Sequence, residues 1–189
     1  MMKTEPLASD VFSSPCPMVV TPRRFSDERG WFFESFQQER YDDIGIPGDD
    51  GRFVQDNTSR SQPGVVRGLH YQLDRPQGKL VACLRGRILD VVVDLRRSSA
   101  SCGQWSAIEL SDQNGLQLYV PVGFAHGFCA IETSDVVYKT TDYYDPASER
   151  TLLWNDPTVG VVWPVMETEA IVSEKDAGGL AFSSLELFD

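Results

Sequence analysis

This chain predicts an all-β domain, a sandwich or barrel of antiparallel strands with a few short peripheral helices. Three observations carry that reading. Short runs of β-branched and apolar residues fill the middle of the chain, they recur at regular intervals broken by Gly, Asn, Asp and Ser, and only two segments have a helical signature. In chain order, Phe33, Phe36, Tyr41 and Ile44 fall on one face of a helix that stops at Gly45. The runs 79–84 and 88–95, with Arg85-Gly86-Arg87 at the turn, predict a hairpin. Runs 105–110 and 116–120 flank Asp112-Gln-Asn-Gly115, and runs 127–131 and 136–140 flank Glu132-Thr-Ser-Asp135, which predicts two further antiparallel pairs. Ser173-Glu-Lys-Asp176 resembles a capping box and opens a short C-terminal helix.

Length and composition set the outer limits. A chain of 189 residues, 41% hydrophobic and 24% charged, suits a single globular domain over 1–189 with no internal repeat, low-complexity tract or linker. The net charge of −11 argues against nucleic acid or an anionic membrane as partner, because both need a basic face that displaces counterions. The charged N-terminus has no apolar leader and no stretch has the length of a membrane span, so a cytoplasmic protein is expected. Cys16, Cys83, Cys102 and Cys129 are scattered without a C-x-x-C pair, which fits reduced structural thiols.

The chemistry centres on the two histidines. His70, in Arg67-Gly-Leu-His-Tyr-Gln72, and His126, in Pro121-Val-Gly-Phe-Ala-His-Gly-Phe128, both lie among glycines in strand-like stretches. An unperturbed pKa of about 6.5 lets histidine act as base and acid near neutrality, and glycine permits close approach of backbone or ligand. A histidine so placed is also a common structural residue, so its neighbours decide. Arg29, Arg60, Arg67 and Lys79 could keep a nearby histidine neutral, bind phosphate and stabilise an enolate oxygen, or they could form a solvated sheet rim. Tyr138 is a candidate general acid or a packing residue, and Asp176 either orients a histidine or caps a helix.

Pro121-x-Gly-x-x-His126 resembles half of the metal signature of the cupin superfamily. The other half, a His-x-His pair with a glutamate, is replaced by His70-Tyr-Gln72, which supports a cupin-type jelly roll and weighs against a metal site.

A longer run of motifs carries a family resemblance. Phe25-x-Asp-x-Arg29-Gly-x-Phe-x-Glu34, Gln55-Asp-Asn57, Arg67-Gly-Leu-His-Tyr-Gln72, Gln77-Gly-Lys79, Asp90-Val-Val-Val-Asp-Leu-Arg96 and Gly123-Phe-Ala-His-Gly-Phe128 occur in order. Tyr138-Lys-x-Thr-Asp-Tyr-Tyr144, Trp154-Asn-Asp-Pro157 and Ser173-x-Lys175-Asp176 complete the set. Over roughly residues 15–180 the chain resembles the dTDP-4-dehydrorhamnose 3,5-epimerases. The resemblance implies a cupin-type jelly-roll barrel, a homodimer that exchanges N-terminal strands, no cofactor and no metal. It also implies a place in dTDP-L-rhamnose synthesis, acting on dTDP-4-dehydro-6-deoxy-glucose, whose C4 ketone acidifies the C3 and C5 protons. By the same resemblance His70 is the base, Asp176 its orienting partner, Tyr138 the acid on the opposite face and Lys79 the enolate stabiliser. Arg29, Glu34, Gln55, Asn57, Arg67 and Lys175 become substrate-binding residues, Arg29 and Glu34 near the dimer interface, and His126 positions the substrate. Relatives that share the fold and the histidine base invert C3 alone or move a ketone between C3 and C4. A non-catalytic cupin that binds a sugar nucleotide is the alternative from a different class.

Overall fold

The computed structural model describes residues 2–189. Its first strands are β1 (Lys3–Pro6), β2 (Met18–Thr21), β3 (Arg24–Asp27) and β4 (Gly30–Phe33), followed by the helix α1 (Gln38–Asp42). The central strands are β5 (Gln55–Ser61), β6 (Val65–Gln72), β7 (Lys79–Arg85), β8 (Arg87–Asp94), β9 (Trp105–Ser111), β10 (Gln117–Val120), β11 (Phe124–Ala130) and β12 (Ser134–Thr140). Two short strands, β13 (Glu149–Thr151) and β14 (Ile171–Val172), precede the helix α2 (Glu174–Ala177). No helix among the described residues is long and apolar enough to cross a membrane.

The strands form two six-stranded sheets and a detached hairpin. One sheet runs β1-β2-β10-β7-β12-β5; the other runs β13-β6-β11-β8-β9, with β14 joined in parallel to β6. The fold is therefore all-β and jelly-roll-like, as expected, but as an open sandwich and not a closed barrel, because each sheet ends in an edge strand.

The three predicted hairpins are corrected by this topology. β7 and β8 lie in different sheets, as do β9 and β10, and β11 and β12. Each turn carries the chain from one sheet to the other: β7 pairs with β10 and β12, while β8 pairs with β9 and β11. Turn residues report where a chain reverses. They do not report whether the returning strand bonds to the one it left or packs across from it.

Alternation along the strands then divides the space between the sheets. Val81, Cys83, Leu118, Val120 and Val136 from the first sheet meet Ile88, Val92, Leu110, Phe124 and Phe128 from the second in a dry core. The outer face of the first sheet is covered by Phe36, Tyr41, Ile44, Ile46 and Phe53 around Val20, Leu80 and Tyr119. The outer face of the second is covered by the C-terminal segment, with Phe182, Leu185, Leu187 and Phe188 against Leu69, Tyr71, Val91 and Val93. The helical face expected of Phe33, Phe36, Tyr41 and Ile44 is corrected: only Tyr41 lies in the five-residue α1, Phe33 belongs to β4, and Phe36 and Ile44 join Tyr41 in the covering from the flanking chain. Gln37 caps α1 by accepting from the Arg40 N–H.

Candidate active site

At one end of the sandwich the inward-facing residues become polar and enclose a cavity of 310 Å³. The same alternation that points Val81 and Cys83 into the core points Lys79 into the cavity from the start of β7, and on β12 Tyr138 follows Val136. His70 comes from β6, and His126 from β11 stands opposite it in the ladder. Base and acid candidates therefore project from opposite sheets into one space.

Two glycines make the approach of these strands possible. A Cβ at Gly68 would lie 2.7 Å from the His126 carbonyl oxygen, and one at Gly127 would lie 2.5 Å from that of Arg67. The ladder between β6 and β11 shifts register here, between His126 and Phe128.

Each histidine carries its own buried carboxylate. Nε2 of His70 is 2.6 Å from Oδ1 of Asp176, and the other carboxylate oxygen accepts from the Gly68 N–H at 3.3 Å. Asp176 sits in α2, where its N–H donates to the Ser173 hydroxyl, so the cap at Ser173 forms while the carboxylate turns to the histidine. Burial pushes the Asp176 carboxyl upward, but the hydrogen bond and charge of His70 and the Gly68 and Ser173 contacts outweigh it and leave it below the usual range. An ionised Asp176 accepts the proton on Nε2 and leaves Nδ1 as the basic nitrogen. His126 is held in the same way: its Nε2 is 2.9 Å from Oδ1 of Asp90, a fully buried residue of β8.

Burial lowers the Lys79 ammonium to about 8, against the raising influence of Glu149 and Asp90. Its Nζ donates to the His70 carbonyl at 3.1 Å. Burial also raises the Tyr138 hydroxyl, as does Glu149, with Arg67 acting the other way, so the phenol stays protonated and able to donate. Arg67 is steadied by donating from Nε to the Ser61 hydroxyl (2.9 Å) and reaches the cavity wall.

The rim holds a residue that the sequence reading left unassigned. Glu149 lies 2.6 Å from the Lys175 ammonium and accepts from the Tyr144 hydroxyl at 2.9 Å. Burial raises its carboxyl, and Lys175 and Tyr144 together bring it below the usual range. This network joins β13, the segment after β12 and α2 across the cavity mouth. Nothing in the spacing of Glu149 marked it; Asp90 left a fainter signal, a charge at an inward position of an apolar strand.

Other expected residues lie outside the cavity lining. Gln55 and Asn57 face inward on β5 and bond to each other (3.0 Å), with Asn57 opposite Tyr138 in the ladder. Arg29 is 85% exposed at the tip of the β3–β4 hairpin and pairs with Asp27, while Glu34 pairs with Arg40 at 3.1 Å. Neither lines the cavity that holds His70. Among the described residues, no group of three or more His, Cys, Asp or Glu side chains is placed to hold a metal ion.

Known proteins resemble this chain along most of its length. The family model for dTDP-4-dehydrorhamnose 3,5-epimerase matches residues 15–184. An enzyme of that name from Pseudomonas aeruginosa is 46% identical over 176 residues, covering 92% of this chain and 95% of its own. A 3,5-epimerase from Legionella pneumophila, solved in complex with dTDP-4-keto-L-rhamnose, superposes with a TM-score of 0.89 at 42% identity, covering 98% of this chain and 95% of that one. A 3′-monoepimerase from Streptomyces bikiniensis, solved with dTDP-quinovose, is more distant: its TM-score is 0.81 at 29% identity, covering 89% of this chain and 84% of that one. On its match along most of its length, this chain belongs to the dTDP-4-dehydrorhamnose 3,5-epimerase family.

Proposed function

We infer that this protein inverts C3 and C5 of dTDP-4-dehydro-6-deoxy-D-glucose, giving dTDP-4-dehydro-L-rhamnose for dTDP-L-rhamnose synthesis. The observation that carries the reading is the His70–Asp176 pair facing the same cavity as Tyr138, which comes from the other sheet. His70 takes the proton next to the C4 ketone, the resulting enolate oxygen is met by the Lys79 ammonium, and Tyr138 gives a proton to the opposite face. Every step is a proton transfer, so the scheme calls on no cofactor. Asp176 fixes the ring of His70 and stabilises the imidazolium that forms. His126, fixed by Asp90, and Arg67, Lys175, Gln55 and Asn57 bind and position the nucleotide sugar.

A dimer completes this reading. The β3–β4 hairpin is a sheet of its own and leaves Phe25, Trp31 and Phe32 more than half exposed, as strands exchanged with a second subunit would. Arg29 and Glu34 would then serve at or near the partner's site. The four cysteines are free, which suits a reducing cytoplasm.

Turnover in D2O tests the assignment. Deuterium should enter the product at C3 and C5; entry at C3 alone would make the enzyme a monoepimerase, and entry at neither would make it a binding protein. His70→Asn should lose both exchange and turnover. Tyr138→Phe should still exchange, because His70 can return a solvent deuteron to the face it came from, while net inversion falls by about 10²–10⁴-fold. Exchange that persists in His70→Asn would move the base elsewhere.

A further inference from the structure

We infer that Ser59 is a substrate-contacting residue whose hydroxyl bonds a hydroxyl or ketone oxygen of the hexose, beside Tyr138. The inference rests on the epimerase reading and adds a group to its site. Among the described residues, the Ser59 hydroxyl is the one buried side-chain oxygen or nitrogen that meets no hydrogen-bond partner. Buried hydroxyls are nearly always paired, because one stripped of water and given nothing in return weakens the fold.

The surroundings of Ser59 make the exception specific. Ser59 shares the inward row of β5 with Gln55, Asn57 and Ser61, and each of those has a partner: Gln55 bonds Asn57, and Ser61 accepts from Arg67. Directly across the ladder from Ser59 stands Val136, which has nothing to offer a hydroxyl, and the next inward residue of β12 is Tyr138. Ser59 lines the same cavity as Arg67, His70 and Tyr138, and its hydroxyl, covered in the unliganded protein, meets a ligand there by turning about the Cα–Cβ bond. It comes from the sheet opposite that of β6 and His70. A neutral hydroxyl next to the proton donor suits an uncharged sugar oxygen better than a diphosphate, which the arginines and lysines are equipped to take.

Calorimetric titration with dTDP and with dTDP-D-glucose separates the contact from its alternatives. Ser59→Ala should bind dTDP as the parent does and dTDP-D-glucose about 2- to 13-fold more weakly, the loss expected for one hydrogen bond. Ser59→Thr, which keeps the hydroxyl, should recover most of that loss. The unliganded Ser59→Ala protein should melt no lower than the parent, since the hydroxyl bonds nothing within the fold. Equal weakening toward both ligands would assign Ser59 to the nucleotide, and unchanged binding of dTDP-D-glucose or a lower melting temperature would overturn the contact. A parent protein that bound neither ligand would instead sink the epimerase reading on which the contact depends.

Discussion

Lys79 shows how one residue is tuned by where its strand begins. At the first position of β7 it faces inward like Val81, yet the inward space there is the cavity and not the core. Desolvation holds its ammonium at about 8, so the charge that meets an enolate is lost just above neutrality. In the unliganded enzyme kcat/KM should therefore fall about tenfold per pH unit above about 8. In Lys79→Met that limb should vanish over a low, flat residual rate; a limb that stayed in place would assign it to another group. The sign for stability is opposite. A lysine whose folded pKa lies below its unfolded value weakens the fold while charged, so that penalty is relieved as pH rises from about 8 toward the ordinary lysine value of 10.5. Residue identity was the most legible layer. His70, Lys79, Tyr138 and Asp176 were each nameable from ordered motifs; Asp90 stood in one of them but gained a role only once β8 was set beside β11, and Glu149 became visible only once β13 was set beside α2.

At the level of elements, the strands were legible and their partners were not. Runs of β-branched residues located β7, β8, β9, β11 and β12 to within a few residues, but short turns between them suggested hairpins where the chain actually changes sheets. The missing information is long-range: β5 finds β12, and β6 finds β11. The glycines around the histidines were a readable hint of close approach, and the structure assigns that approach to backbone on backbone. Gly68 has φ +108° and faces the His126 carbonyl, while its own N–H holds Asp176. Gly68→Ala should cost about 1–3 kcal/mol from backbone strain alone, with the steric conflict added to it. Urea unfolding should show the lowered midpoint, and deuterium exchange by the folded variant should slow because Asp176 loses a support. A variant as stable and active as the parent would show that β6 and β11 can part without consequence.

For the whole molecule, the two sheets and their outer coverings hold the buried core, while the β3–β4 hairpin, a sheet of its own, leaves Phe25, Trp31 and Phe32 exposed together. An interface built on Phe25, Trp31 and Phe32 should be apolar and hold the subunits together at working concentrations. Light scattering at micromolar concentration should give twice the mass of one chain; a fully active monomer would contradict the exchange of hairpins and the shared use of Arg29. The strand order also governs how a newly made chain acquires its parts. β5 has β12 as its sole ladder neighbour among the described residues, and at a synthesis rate of roughly 5–20 residues per second it waits about 4–15 s for that neighbour. Asp176 emerges later still, 106 positions after the histidine it holds. The strands from β5 to β12 can therefore pair while the base still lacks its carboxylate, so readiness to move a proton comes after the pairing of the strands that carry His70 and Tyr138.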